Sequence, residues 1–325
     1  MLDNDIQRRE MPVRIGLLLT EGFALMSYAS IIEPFRAANR LAGAPLYSWT
    51  HISIDGEPVT ASSGTTIEAM PALADGHDFD RVFVFAAADP SAYRNRNCFA
   101  WLRRMARRGA SLIGVSGGPF LLARAGLLDG YRATIHWEHA ETLRDEFPGL
   151  VIEGGLYVID RDRMTCAGGT AGMDLAVELI SMDYGAPLGS QVAEWFIRTE
   201  PRPAGHSQRA DVKARYGTSN ERLARMLSAM EDALEDPLPR EELAEAAGVS
   251  LRQLERLCAK QFGLTISQVY LNIRLDHAAQ LLRSTGMSVT DVGVASGFRS
   301  QSHFSRCYRA RFDHPPGKSR SRLSA

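Results

Sequence analysis

The residues Gly114-Val115-Ser116-Gly117-Gly118 have the types and spacing of a nucleophile elbow. They follow the apolar run Ala110-Ser111-Leu112-Ile113 and precede Phe120-Leu121-Leu122-Ala123, so the chain should pass from strand through an abrupt turn into helix. Flanking glycines permit such a turn, and Ser116 would stand exposed beside backbone N–H groups that favour an anion. The chemistry implied is that of a serine hydrolase. A base is then required, and His136 lies downstream, followed by Trp137, with Glu138 and His139 as nearby alternatives. A lone histidine is more often structural than catalytic, so the pair does not by itself make a triad.

These residues need a scaffold. Val13-Arg14-Ile15-Gly16-Leu17-Leu18-Leu19 reads as a buried strand, residues 24–41 as a helix with a kink at Pro34, residues 49–54 and 81–85 as further strands, and 99–108 as a helix. Strands separated by helices predict a flavodoxin-like parallel sheet with helices on both faces, and Ser116 would sit beyond the carboxyl ends of its strands. Residues 156–166 read as a β-hairpin around a charged turn. Gly168-Gly169-Thr170-Ala171-Gly172 then leads into a helix, and the adjacent Cys166 reads as structural.

At 325 residues the chain suits two domains, and its 45% hydrophobic and 23% charged content is globular. No apolar run approaches the ~20 residues of a membrane span, and the polar start argues against secretion, which leaves a cytoplasmic protein. Cys98, Cys166, Cys258 and Cys307 are scattered without disulfide or metal-ligand spacing, so no metal is expected. The net charge of −1 hides an asymmetry: residues 283–322 carry eight Lys/Arg against Asp291 and Asp313. A basic segment on an otherwise acidic chain points to a polyanion such as DNA.

That segment lies within a repeated pattern. Residues 239–257 read as a helix-turn-helix, with Pro239 in the first turn, Ala244 at the helix crossing, Gly248 at the turn and Ser250 capping the second helix. The same grammar returns at residues 288–306, and between the two units residues 266–282 form one long amphipathic helix. An all-α C-terminal domain with two helix-turn-helix units follows. Before it, the Pro/Gly-rich stretch 199–208 reads as a domain boundary.

Two resemblances sharpen the reading. Residues 114–137, with Glu33-Pro34-Phe35-Arg36-Ala37-Ala38-Asn39, the stretch 165–175 and Gln208-Arg209, resemble the PfpI-like branch of the class I glutamine-amidotransferase fold. They are most similar to the version joined to AraC-type DNA-binding domains in GlxA-like transcriptional regulators. Arg274-Leu275-Asp276-His277-Ala278 and Gly297-Phe298-Arg299-Ser300-Gln301-Ser302-His303-Phe304 resemble the AraC-type domain itself. Against the enzymatic relatives, Ser116 stands where the nucleophile is cysteine. Ser27 falls where they carry an acid, and Ala86-Ala87-Ala88 covers the position of their oxyanion-hole glycine. Gly293 and Asp313 depart from the usual Ala and Gly of the DNA-binding domain. The three departures in the first domain imply lost chemistry: a binding pocket, with no catalytic residue, no enzyme activity and no cofactor.

The expected layout is a ligand-sensing domain over 12–200, a linker over 201–220 and a DNA-binding domain over 221–325, with its helix-turn-helix units near 239–260 and 288–311. The ligand site would comprise Ser116, Gly117, His136 and Trp137, with Phe23 as a second aromatic wall and Glu33 compensating a cation. The resemblance implies a small nitrogenous inducer such as arginine, glycine betaine or carnitine, an activator, a homodimer, and contact with promoter DNA and RNA polymerase. Its docking geometry puts Arg252, Arg256, Gln301, Ser302 and Arg306 in the groove, with Ser250, Arg299 and His303 near the backbone. A hydrolase tethered to DNA, using Ser116 and His136, is the competing reading. A third is a constitutive DNA-binding protein with an inert oligomerisation domain.

Overall fold

The computed structural model describes residues 11–72, 78–86 and 89–319. Two compact units divide between Gln208 and Arg209.

The first unit is built on a seven-stranded sheet. Its strands are β1 (Val13–Leu19), β2 (Tyr47–Ser53), β3 (Met70–Pro71), β4 (Arg81–Ala86), β5 (Ser111–Ser116), β6 (Tyr157–Asp160) and β7 (Arg163–Cys166). Their order is β6-β7-β5-β4-β1-β2-β3, parallel except for β6, which pairs antiparallel with β7 in the expected hairpin. Successive side chains of a strand face opposite ways, and here both faces are buried. Leu17, Phe83, Phe85, Ile113 and Val115 pack into one core, and Leu18, Val82, Val84 and Leu112 into the other.

Helix α1 (Leu25–Ala42) runs uninterrupted through Pro34 and packs with α4 (Ala171–Tyr184) and α5 (Ala186–Trp195). Helices α2 (Arg96–Arg107) and α3 (Gly118–Arg124) belong to the opposite core. The side chain of Asn95 caps α2 by accepting N–H bonds from Asn97 and Cys98. The sheet therefore places Ser116 at the carboxyl end of β5, one step from α3, paired with Ala86 at the end of β4.

The linker expected over 201–220 needs correction. Arg202 binds Asp174 and Thr170, and the Ala204 carbonyl accepts the Leu156 N–H at 2.7 Å. The Gln208 amide donates to the Thr134 hydroxyl and to the Ile135 and Gly155 carbonyls. Pro and Gly here shape a strap bonded to the sheet edge. In the second unit, Val212–Arg215 is already helical, and Arg215 and Tyr216 bind Glu231.

The second unit comprises α6 (Glu221–Asp232), α7 (Arg240–Ala247), α8 (Leu251–Phe262), α9 (Ile266–Ser284), α10 (Val289–Ala295) and α11 (Gln301–Phe312). Side-chain caps at Asn220, Ser250, Thr265, Ser288 and Ser300 start five of these, with full capping boxes at Ser250–Gln253 and Thr265–Gln268. Two small cores share α9. Ile266, Val269, Tyr270 and Ile273 serve the first, whereas Leu275, Ala278, Leu281 and Leu282 serve the second.

Helix α11 ends on Asp313 in the left-handed region, φ 58°. Glycine occupies such a C-terminal position without steric penalty, and aspartate does not. Asp313→Gly is therefore expected to stabilise the second unit by about 1 kcal/mol, read as a rise in its denaturant midpoint with unchanged slope.

Candidate functional site

Ser116 has φ 58°, the strained turn expected of an elbow. Its neighbours are glycines for a steric reason. A Cβ on Gly118 would lie 2.1 Å from the Val84 carbonyl oxygen, and one on Gly114 would lie 2.7 Å from the Pro119 nitrogen. A Cβ on Gly168 would meet both the Ser116 Cβ and the Ser27 Oγ at 2.7 Å. Thus the elbow, α1 and the loop after β7 converge on one point. The Ser27 hydroxyl accepts the Gly169 N–H at 2.8 Å and Ser30 donates to the Gly169 carbonyl at 2.6 Å, so α1 fastens that loop against the elbow.

His136 reaches the elbow through its backbone. Its N–H donates to the Ser116 carbonyl at 3.4 Å. Its Nδ1 accepts the Glu138 N–H at 3.4 Å and lies 3.6 Å from the Glu138 carboxylate. Burial lowers its pKa, against the opposing pull of Glu138, so the ring is neutral near pH 7. Among the described residues, no hydrogen bond joins the Ser116 hydroxyl to this imidazole. Trp137 lies alongside, its ring 5.5 Å from that of His136.

The structure brings Ser116, Gly117, His136 and Trp137 to one region. Phe23 is fully buried in the core, edge-on to Tyr28 at 5.8 Å, because the tight turn at Gly22 folds it inward. Glu33 is bound by Arg36 one turn along α1 at 2.6 and 2.8 Å, which neutralises the charge expected to meet a cation. Ala87 and Ala88 lie outside the described residues. Ser27, Ser30 and Gln208 are the contributors that sequence reasoning left without a ligand-site role; the Gly168-Gly169 pair was the signal for the first two.

In the second unit, Arg252, Arg256, Arg299, Gln301, Ser302, His303 and Arg306 are all exposed, and none of the four guanidiniums is in an ion pair among the described residues. The Ser250 hydroxyl accepts the Gln253 N–H as a cap, and Ser302 shares a 2.9 Å bond with Ser300. Leu254, Phe304 and Tyr308 are core.

Helix α9 holds both turns. Tyr270 donates to the Ala233 carbonyl and accepts the Leu238 N–H, fixing the approach to α7. One turn on, Arg274 donates to the Ser296 and Gly297 carbonyls at 2.8 and 2.5 Å and lies 4.4 Å over the Phe298 ring. A Cβ on Gly297 would come within 2.5 Å of the Leu234 carbonyl oxygen, so the second turn rests on the loop before α7.

The DJ-1/PfpI family profile matches residues 13–182, and a helix-turn-helix domain profile matches residues 243–322. The HTH-type transcriptional regulator CdhR of Pseudomonas aeruginosa is 44% identical over 94% of this chain and 91% of its own length. The regulator GlxA of Rhizobium meliloti is 39% identical over 95% and 96%, and ArgR of Pseudomonas aeruginosa 35% over 95% and 93%. Among solved structures, an AraC family transcriptional regulator from Pseudomonas putida is 28% identical, with a TM-score of 0.52 over 57% of this chain and all of its own. A ThiJ/PfpI family protein from Pseudomonas syringae, 20% identical with a TM-score of 0.55 over 75% of this chain and 92% of its own, shares the fold.

Two outcomes follow from this geometry. Burial, reinforced by His136, lowers the His139 pKa to about 4. The unfolded chain then binds the proton first, so stability is full above pH ~6.5 and falls as pH drops toward 4, by on the order of 3 kcal/mol; an NMR titration should show His139 still about nine-tenths neutral at pH ~5. Arg274→Ala should loosen the second turn, so that footprinting loses protection at the subsite of α11 while that of α8 persists.

Proposed function

The chain belongs to the DJ-1/PfpI family, in the form joined to an AraC-type helix-turn-helix domain, and from that premise we propose that its first unit binds a small nitrogenous metabolite and thereby sets the activity of a promoter held by the second. It is a DNA-binding regulator of transcription. One observation carries the sensor reading. The His136 N–H is bonded to the Ser116 carbonyl, while the carbonyl of its neighbour Ile135 accepts from Gln208, the last residue of the first unit. Pocket and exit segment thus share one short hydrogen-bond path.

A ligand acts through such a path only by binding two arrangements with different affinity. The inducer belongs to the class of arginine, glycine betaine and carnitine, with Trp137 as a stacking wall and Ser116 and His136 as hydrogen-bonding groups. Arg252, Arg256, Gln301 and Arg306 read base edges, and Arg299 and His303 meet phosphates. The protein works in the cytoplasm as a homodimeric activator that contacts RNA polymerase. It does not hydrolyse its ligand: among the described residues no hydrogen bond joins the Ser116 hydroxyl to the His136 imidazole.

The test uses the full chain with arginine, glycine betaine and carnitine as probes. The wild type should resist labelling by a fluorophosphonate, and Ser116→Ala should still bind promoter DNA. His136→Ala should lose the ligand-dependent change in transcription, and Arg306→Ala should weaken operator affinity by about 1–3 kcal/mol. Stoichiometric labelling at Ser116 with turnover would restore the hydrolase reading.

A further inference from the structure

A hollow of about 280 Å³ lies away from the elbow, under the strap that closes the first unit. Its floor is α4 and the β6 edge, its roof Pro201-Arg202-Pro203. The Asp174 side chain is 1% exposed and fully engaged: it accepts from the Arg198 guanidinium, and from the Arg202 backbone at 3.2 Å and guanidinium at 2.7 Å. Asp174 therefore orients two guanidiniums and has nothing left for a ligand. Arg198 is tied through one terminal nitrogen among the described residues, so its Nε and other terminal nitrogen keep their donors. Glu178, one helical turn beyond Asp174, lines the same hollow, exposed and without an ion pair among the described residues.

The chain reaches this place at a cost. Ile197, the residue before Arg198, is left-handed at φ 57° and 92% exposed. A β-branched residue there is strained, and such strain persists where the surroundings dictate the backbone path. Here the path delivers Arg198 onto Asp174. The roof is equally fixed, since a Cβ on Gly155 would lie 2.5 Å from the Ala204 carbonyl oxygen.

The four charged groups sum to zero, yet the unspent ones are of opposite sign: guanidinium donors on Arg198 and a carboxylate on Glu178. Tyr157, Val177 and the two prolines supply apolar walls between them. We propose that this hollow is a second ligand site, one that takes an uncharged-side-chain α-amino acid as its zwitterion, carboxylate to Arg198 and ammonium to Glu178. Charge-assisted guanidinium donors suit a carboxylate, and the volume fits a molecule of that size. The site is separate from the elbow pocket and shares no residue with it.

The experiment is titration calorimetry on the full chain with glycine, alanine, valine, leucine and glutamine, together with the N-acetyl and amide derivatives of whichever binds. At least one amino acid should bind with a Kd of millimolar or tighter, and both derivatives should bind at least tenfold more weakly, because each lacks one pole. Arg198→Gln and Glu178→Gln should each weaken binding at least tenfold, whereas His136→Ala should not change it. Arg198 helps to hold the strap, so Glu178→Gln, which touches no structural bond, decides if the first variant misfolds. The proposal is overturned if no amino acid of the panel binds, if Glu178→Gln binds as the wild type does, if the derivatives bind equally well, or if His136→Ala abolishes binding; the last result would assign the ligand to the elbow instead.

Discussion

The left-handed turn at Ser116 is the constraint on which the first unit depends. It brings β5 into α3 so closely that any side chain on Gly118 would overlap the Val84 carbonyl, and it lets the loop at Gly168 come to rest on the serine itself. Four separate stretches of chain meet there: β4, β5, α1 and the segment after β7. A turn of this kind costs on the order of 1–3 kcal/mol and persists only where its surroundings impose it. The surroundings here are two serines on α1, Ser27 and Ser30, whose hydroxyls hold Gly169 from both its N–H and its carbonyl.

That arrangement holds the shape of a nucleophile elbow by close backbone contacts and the Ser27 and Ser30 hydroxyls. The Ser27 oxygen is spent on the Gly169 N–H. Among the described residues the His136 ring makes no hydrogen bond to the Ser116 hydroxyl, and its Nδ1 faces the Glu138 N–H instead. Shape and proton transfer are separable: the first rests on glycines and close backbone contacts, the second on a tautomer and an orienting carboxylate. The glycines and close contacts of this chain supply the former.

What the sequence could disclose was mostly local. Helix caps at Ser250 and Ser288, the turn glycines 248 and 297, the hairpin at 156–166 and the elbow are all written in neighbouring residues, and the structure has them. Asp313 in place of the family's glycine still adopts the left-handed conformation, so the backbone requirement outlived the residue that meets it most cheaply. Side-chain partners were less legible than local conformation. Phe23 has the composition of a ligand wall and the position of a core residue, while Glu33 has a charge that Arg36 takes up. Pro201, Pro203 and Gly205 have the composition of a linker, yet Asp174, Leu156 and Thr134, all distant in sequence, turn that stretch into a bonded strap. Composition reports chain stiffness and solvent preference, not which donor lies opposite.

The same distinction separates the two ways this chain fixes its functional groups. In the second unit a single helix does the positioning: α9 contributes to both small cores, and Tyr270 and Arg274, one turn apart, pin the loop before α7 and the turn before α11. The two recognition helices are therefore held by covalent continuity along one rigid element, and displacing either requires breaking bonds made by a residue four positions from the other's anchor. In the first unit the positioning is by convergence. Ser116, His136 and Gln208 come from distant parts of the chain and meet only through hydrogen bonds of the backbone and one amide. Convergent contacts of this sort can exchange one set of partners for another at modest cost, whereas a continuous helix cannot. A response to ligand belongs where the contacts are of the first kind, and accurate groove spacing where they are of the second.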